Sequence, residues 1–293
     1  MIGGSSMPLE VSVEMTHAAV QVAAADVGID VLHIKGPSLH PSLSRRDARG
    51  ETTHLSVDAD VWVRPRDVDR LVAALGRAGW ATKVRFEDGS AFEHASTLVH
   101  HYLGHLDLHR WFPGITVPPE EAFEALWAER DVTTLGGQPC PVPSVTGQRL
   151  VLLLHSVRGP GSSVDVQRAW HDASPDDQRA VEALSVKLRA QIALAASLGD
   201  LSDDSSPESE LWRVLTMRDR SLLDLWVARV RAAPTRRESL RVAIRQLVPN
   251  PRRLELVLGR PPTAKDLALA YGRRLRLGLQ EVWSKLRGAK GRR

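Results

Sequence analysis

The sequence predicts an α/β first half followed by an all-helical second half, and two patterns carry that expectation. Up to Ser144, short apolar stretches of period two alternate with stretches of helical spacing. Beyond Ser144, long Leu/Ala/Arg segments take over, at Gly147–Val157, Val164–His171, Pro175–Leu198, Glu208–Ala232, Arg236–Leu247 and Thr263–Leu286. The expected domains are therefore 7–143 and 144–293, in a chain of 293 residues long enough for two cores.

The elements follow in order. Val13, Ala18, Val20, Val22 and Ala25 recur at helical spacing, so Leu9–Val27 reads as a helix stopped by Gly28. Ile29–Ile34 (IDVLHI) is a buried strand ending at Lys35-Gly36-Pro37, with Pro37 suited to the first turn of a helix. The polar stretch 42–53 has loop composition. Val57–Val63 (VDADVWV) alternates, placing Asp58, Asp60 and Trp62 on one face of a strand. Pro65 opens a helix through Leu71, Leu75 and Ala78, closed by Gly79, and Trp80–Phe86 is a further strand. Over Leu98–His109 the period returns to two, with His105, Asp107 and His109 opposite Leu106 and Leu108. A short helix (Glu120–Glu129) and a hairpin turning at Gly136-Gly137 complete the first half.

Composition excludes several classes. With 43% hydrophobic and 25% charged residues the chain is neither disordered nor fibrous. One cysteine, Cys140 between two prolines, excludes a disulfide framework or a multi-thiolate zinc site and reads as a packing residue. No apolar run is long enough to span a bilayer and the start lacks a secretion signal, so a cytoplasmic location is expected. Met1–Ser6 precede a second methionine, Met7, and do not enter the fold reading. The net charge is only +4, but from Arg273 onward eight Lys or Arg stand against Glu281 alone, a solvated helix end or a strip for nucleic acid.

Three features converge on one chemistry. Asp58 and Asp60, two residues apart on a strand, project the same way, and Asp107 supplies a third carboxylate on another strand. Like charges held so close call for a neutralising cation, so the three aspartates form a candidate Mg²⁺ site, with Mn²⁺ an alternative. A site for two such ions suits in-line displacement at phosphorus. Gly36 allows backbone to approach phosphates, and a helix starting at Pro37 would turn its positive end toward them.

These stretches, HIKGPSL (33–39), DADVWVRPRDVDRL (58–71) and LDLH (106–109), resemble a nucleotidyltransferase family of the polymerase-β-like superfamily. The resemblance covers roughly residues 29–157. It implies a small mixed, twisted sheet flanked by helices, with the helical domain selecting the acceptor. It also implies transfer of a nucleoside monophosphate, with AMP expected, from a nucleoside triphosphate to a hydroxyl of a small molecule, sugar or peptide. Asp58, Asp60 and Asp107 would bind the metal and act in catalysis, Lys35 and Gly36 would contact the nucleotide, and His109 would orient Asp107 or contact substrate. Relatives commonly carry an arginine four residues before the first aspartate, where this chain has His54. Three alternatives stand beside this reading: modification of an RNA end or a protein, recruited by the basic tail; a non-catalytic nucleotide-binding module; and a metal-dependent hydrolase using His101, His105, His109 and Asp107 as ligands.

Overall fold

A computed structural model describes residues 7–44, 56–88, 92–157, 162–201, 205–217, 221–233 and 235–290. His54 and most of the polar stretch 42–53 lie outside the described residues. The chain forms two compact units, Met1–Asp200 and Leu201–Arg293. The change of composition at Ser144 marks the start of the helical run, inside the first unit.

The first unit is mixed α/β. Helix α1 (Leu9–Ala25) leads to β1 (Val31–Ile34), then β2 (Asp58–Val63), α2 (Val68–Arg77), β3 (Ala81–Val84), β4 (Ala95–His100) and β5 (Gly104–His109). The five strands make one sheet in the order β1-β2-β5-β4-β3, in which β2 and β5 run parallel and every other pair antiparallel. One face of the sheet is apolar. There Val31, Ala59, Val61, Val63, Leu98, Leu106 and Leu108 pack with Val13, Val20 and Ala24 of α1 and Leu71 and Leu75 of α2. Period-two alternation on the strands and 3.6 spacing on the helices thus bury complementary stripes.

Two expectations change. The stretch 98–109 is a hairpin rather than one strand: β4 turns through His101–Leu103, and Gly104 at φ +94° opens β5. The predicted helix after Pro37 is a single 3₁₀ turn, Gly36–Ser38, followed by another at Pro41–Leu43. Leu39 and His40 are extended, the conformation favoured before Pro41, and so interrupt the helical run.

Beyond the sheet come α3 (Pro119–Ala128) and the two-stranded ribbon β6 (Asp131–Leu135) and β7 (Gln138–Val142), which turns at Gly136-Gly137 as expected. Cys140 is fully buried in β7, and burial pushes its thiol up to about 11, in keeping with a packing role. Helices α4 (Val145–Ser156), α5 (Ser162–Val166), α6 (Pro175–Lys187) and α7 (Gln191–Leu198) complete the unit.

Arg64 is a staple of this unit. It follows β2 directly, is buried, and binds Asp30 (Nη1–Oδ2 2.8 Å) and Glu124 (Nε–Oε1 2.5 Å). Its guanidinium lies 4.4 Å from the Phe123 ring centre. The end of β2 is thereby tied to α3 through ion pairs and a cation–π contact.

The second unit is all helical, with α8 (Pro207–Thr216), α9 (Leu222–Ala232), α10 (Arg236–Leu247), α11 (Pro251–Leu258) and α12 (Ala264–Lys290). It holds 21 of the 39 Lys and Arg residues but only 10 of the 35 Asp and Glu. The basic excess read at the C-terminus therefore extends over the whole unit. No helix among the described residues is long and apolar enough to cross a membrane.

Candidate active site

The polar face of the sheet is built by strand register. In the parallel β2–β5 pair Asp60 stands opposite Asp107, and Asp58 opposite His105. In the antiparallel β4–β5 pair Thr97 stands opposite Asp107, so its side chain shares that face, and its hydroxyl donates to Asp107 Oδ1 (2.7 Å). The face is acidic only at one end. Farther along β2, Trp62 is fully buried, its ring 5.8 Å from that of Phe112.

Asp60 is the hub. Its Oδ1 accepts from Lys35 Nζ (2.6 Å) and from His109 Nε2 (2.7 Å). Asp60 and His109 are buried, and Lys35 is 14% exposed. Burial alone would raise the Asp60 carboxyl, but the Lys35 charge and the His109 hydrogen bond overcome it and hold the group well below the usual carboxylate range. Burial keeps the His109 imidazole below its ordinary value against the opposing pull of Asp60, so a neutral ring donates to an ionised carboxylate. His109 is boxed between the rings of His94, at 5.3 Å, and Phe112, at 5.9 Å. Its Nδ1 is buried with no hydrogen-bond partner among the described residues.

Asp58 behaves differently. Burial, with the neighbouring charges of Asp60 and Asp107, pushes its carboxyl up to about 6, against the opposing influence of Lys35. Among the described residues three carboxylates share the face with one nearby ammonium, and the strain of that imbalance falls on Asp58.

Lys35 reaches Asp60 from an unusual backbone. It has φ +60° and ψ −175°, and Gly36 follows at φ +51°. Ser38 pins the turn, its Oγ–H (2.6 Å) and N–H (3.1 Å) both donating to the Lys35 carbonyl. A Cβ at position 36 would meet Ser56 Cβ and Oγ at 3.1 Å, so glycine serves here both for its φ and for close approach.

The predicted residues thus gather, with differences. One ligand atom each from Asp60, Asp107 and His109 lies within 4.8 Å of the others. Asp58 stands outside that grouping but is felt electrostatically by it. His109 turns to Asp60, while the support of Asp107 comes from Thr97, which the sequence reading missed. His101 and His105, the remaining ligands of the hydrolase alternative, are exposed and stand outside the grouping. The donor set of clustered carboxylates, with one carboxyl left under-neutralised, fits a hard divalent cation such as Mg²⁺.

Another polar pair was also not foreseen. On the apolar face, His17 Nδ1 of α1 lies 2.9 Å from His33 Nδ1 of β1, and His33 Nε2 is 2.9 Å from Gln21 Oε1. Both imidazoles are fully buried, and His17 Nε2 has no partner among the described residues. Burial brings the His17 ring down to about 4, with Asp60 opposing, and holds His33 well below its ordinary value.

Residues 14–199, well over half of the chain, match the model of a family described as "Uncharacterised nucleotidyltransferase". The chain belongs to this nucleotidyltransferase family. Its members are transferases, in accord with the motifs read from the sequence. Among solved structures, the chain is similar to the antibiotic-resistance factor ANT(2'')-Ia in its solution structure, with 13% identity, a TM-score of 0.36, and coverage of 64% of this chain and 91% of that one. It is likewise similar to ANT(2'')-Ia in complex with adenylyl-2''-tobramycin, at 13% identity, TM-score 0.37, and coverage of 64% and 98%. Both likenesses are distant, and membership rests on the family match. No curated protein matches.

Proposed function

We propose that this nucleotidyltransferase carries out Mg²⁺-dependent transfer of a nucleoside monophosphate, AMP in the first instance, from a nucleoside triphosphate to a hydroxyl of a small molecule, sugar or peptide. The observation that carries the reading is the pairing of Asp60 with Asp107 across β2–β5, with Asp58 two residues away on the same strand. In the reaction, the acceptor oxygen bonds to the α-phosphorus, the bond from that phosphorus to the bridging oxygen breaks, and pyrophosphate leaves with the electron pair.

Asp58, Asp60 and Asp107 would hold the cation, which neutralises phosphate charge and lowers the cost of forming an acceptor alkoxide. Asp107, fixed by Thr97, stands to take the hydroxyl proton. His109 is a positioning residue: buried against Asp60, it fixes the orientation of that carboxylate. Lys35 and Gly36 lie on the nucleotide side, where an ammonium and closely approaching backbone suit phosphate oxygens.

The test incubates the protein with Mg²⁺, each nucleoside triphosphate and a metabolite extract, then follows pyrophosphate release and searches by mass spectrometry for adducts one nucleotide heavier. The expected result is an adduct made by the natural chain and lost in Asp58→Ala/Asp60→Ala. Full turnover by the double variant would refute the assignment, and nucleotide binding without pyrophosphate release would favour the binding module instead.

A further inference from the structure

We propose that Lys35 is a resident cation of the carboxylate cluster: it occupies the Oδ1 edge of Asp60, so the cluster takes up one divalent ion, and its ammonium brings to the phosphates the charge that a second ion would supply. The inference rests on the nucleotidyl-transfer reading and deepens it by fixing the number of ions.

Three observations support it. The first is geometric. Asp60 Oδ1 already accepts from both Lys35 Nζ at 2.6 Å and His109 Nε2 at 2.7 Å. A divalent ion approaching that oxygen would have to displace one or both donors. The second is the charge count. The carboxylates of Asp58, Asp60 and Asp107 carry three negative charges and the Lys35 ammonium returns one, which leaves two, the complement of one divalent cation. A second ion would leave the cluster overcharged before any phosphate arrived, at a mutual repulsion that low local dielectric makes severe.

The third is the backbone. A lysine at φ +60° is strained relative to an ordinary conformation and persists only where its surroundings hold it. Two hydrogen bonds from Ser38 to the Lys35 carbonyl, and the close fit of Gly36 against Ser56, provide that hold. An ammonium that merely decorated a strand end would need none of this. The 14% exposure of the Lys35 side chain fits a group set beside the carboxylates and still open to a ligand on one side.

The experiment counts ions directly with Mn²⁺ as the probe. The full chain is titrated while free Mn²⁺ is read by electron paramagnetic resonance, alone and with α,β-methylene-ATP. The proposal expects one bound Mn²⁺ per natural chain without nucleotide. Lys35→Met and Lys35→Gln should each bind Mn²⁺ at least ~10-fold more tightly and accept a second ion, because the competing charge is gone. Both should bind the nucleotide analogue about 10-fold more weakly, since a charge-assisted contact worth about 1.4 kcal/mol is lost. Lys35→Arg should keep the count of one. Two tightly held ions in the natural chain would overturn the proposal, and that count stands even if the variants fail to fold. Unchanged Mn²⁺ affinity in folded Lys35→Met would overturn it too. Two ions with the nucleotide bound normally would leave the nucleotidyl-transfer reading intact, whereas a natural chain that takes neither Mn²⁺ nor the analogue would overturn both.

Discussion

Asp60 and Asp107 stand directly opposite each other on the parallel β2–β5 pair, and each accepts from a different neighbour: Asp60 from His109 and Lys35, Asp107 from Thr97. Asp107→Asn keeps the shape but removes a charge from the cluster. Its pyrophosphate release should fall by at least ~10²-fold, while its melting temperature without metal should hold or rise because like-charge repulsion on Asp58 is relieved. A large fall in melting temperature would show that Asp107 is structural.

Thr97→Val removes the hydroxyl that holds Asp107 and leaves a side chain of the same shape. Loss of such a support typically costs 10- to 100-fold in metal affinity or activity, so kcat should drop by about tenfold or more. Thr97→Ser should restore most of it. Equal activity in Val and Ser variants would show that the bond plays no part in orienting Asp107.

On the proposed metal-binding reading, Asp58 sets a pH dependence. Its folded carboxyl lies at about 6, above its ordinary value of 3.8. The proton it retains therefore stabilises the metal-free fold at low pH, and that contribution is lost as pH rises from about 4 through about 6. On that reading a divalent cation would take the place of the proton. Mg²⁺ should raise the melting temperature more at pH 7.5 than at pH 5.5, with affinity falling by up to about tenfold per pH unit below 6. The same Mg²⁺ shift at both pH values would show that Asp58 does not titrate against the metal.

The buried pair His17–His33 acts with the opposite sign. An unfolded chain binds a proton at His17 below about 6.5, whereas the folded chain resists until about 4. Stability is thus full above 6.5 and drains as pH falls toward 4, by up to about 3 kcal/mol from His17 alone. Urea titrations across that range should show the loss, and His17→Phe should flatten the slope. An unchanged slope in that variant would place acid sensitivity elsewhere.

Arg64→Ala should destabilise the first unit by about 2 kcal/mol, chiefly through lost contact with Phe123 and Trp127, since Asp30 and Glu124 are about half exposed and would be rehydrated. Arg64→Lys should recover less than half, because an ammonium cannot span both acids and stack. Chemical denaturation measures both.

What the sequence disclosed and what it hid follow from physics at particular residues. Asp58, Asp60 and Asp107 were legible because strand alternation fixes which side chains share a face. The turn at His101–Leu103 was hidden because Tyr102 and Leu103 read as strand residues, although strict alternation holds only from Gly104 to His109. The contact from Lys35 to Asp60 depends on a left-handed backbone at a lysine, which no residue preference announces. Thr97 acquires a role only once the register of β4 on β5 is known. Trp62 read as part of an acidic face, but Phe112, fifty residues later in the chain, covers it. Arg64 gave no signal because its partners lie 34 and 60 residues away.

The placement of β5 beside β2 also bears on when the protein can function during its own synthesis. The two strands are neighbours in space but are separated in the chain by α2, β3 and β4, so the central parallel pairing cannot close until the hairpin has been made and folded back. A nascent chain that has just finished β2 exposes Asp58 and Asp60 with no counterpart across the sheet. The ribosome must deliver His109 before the proposed metal site is complete, so truncated products ending earlier are expected to be inert toward both ion and nucleotide.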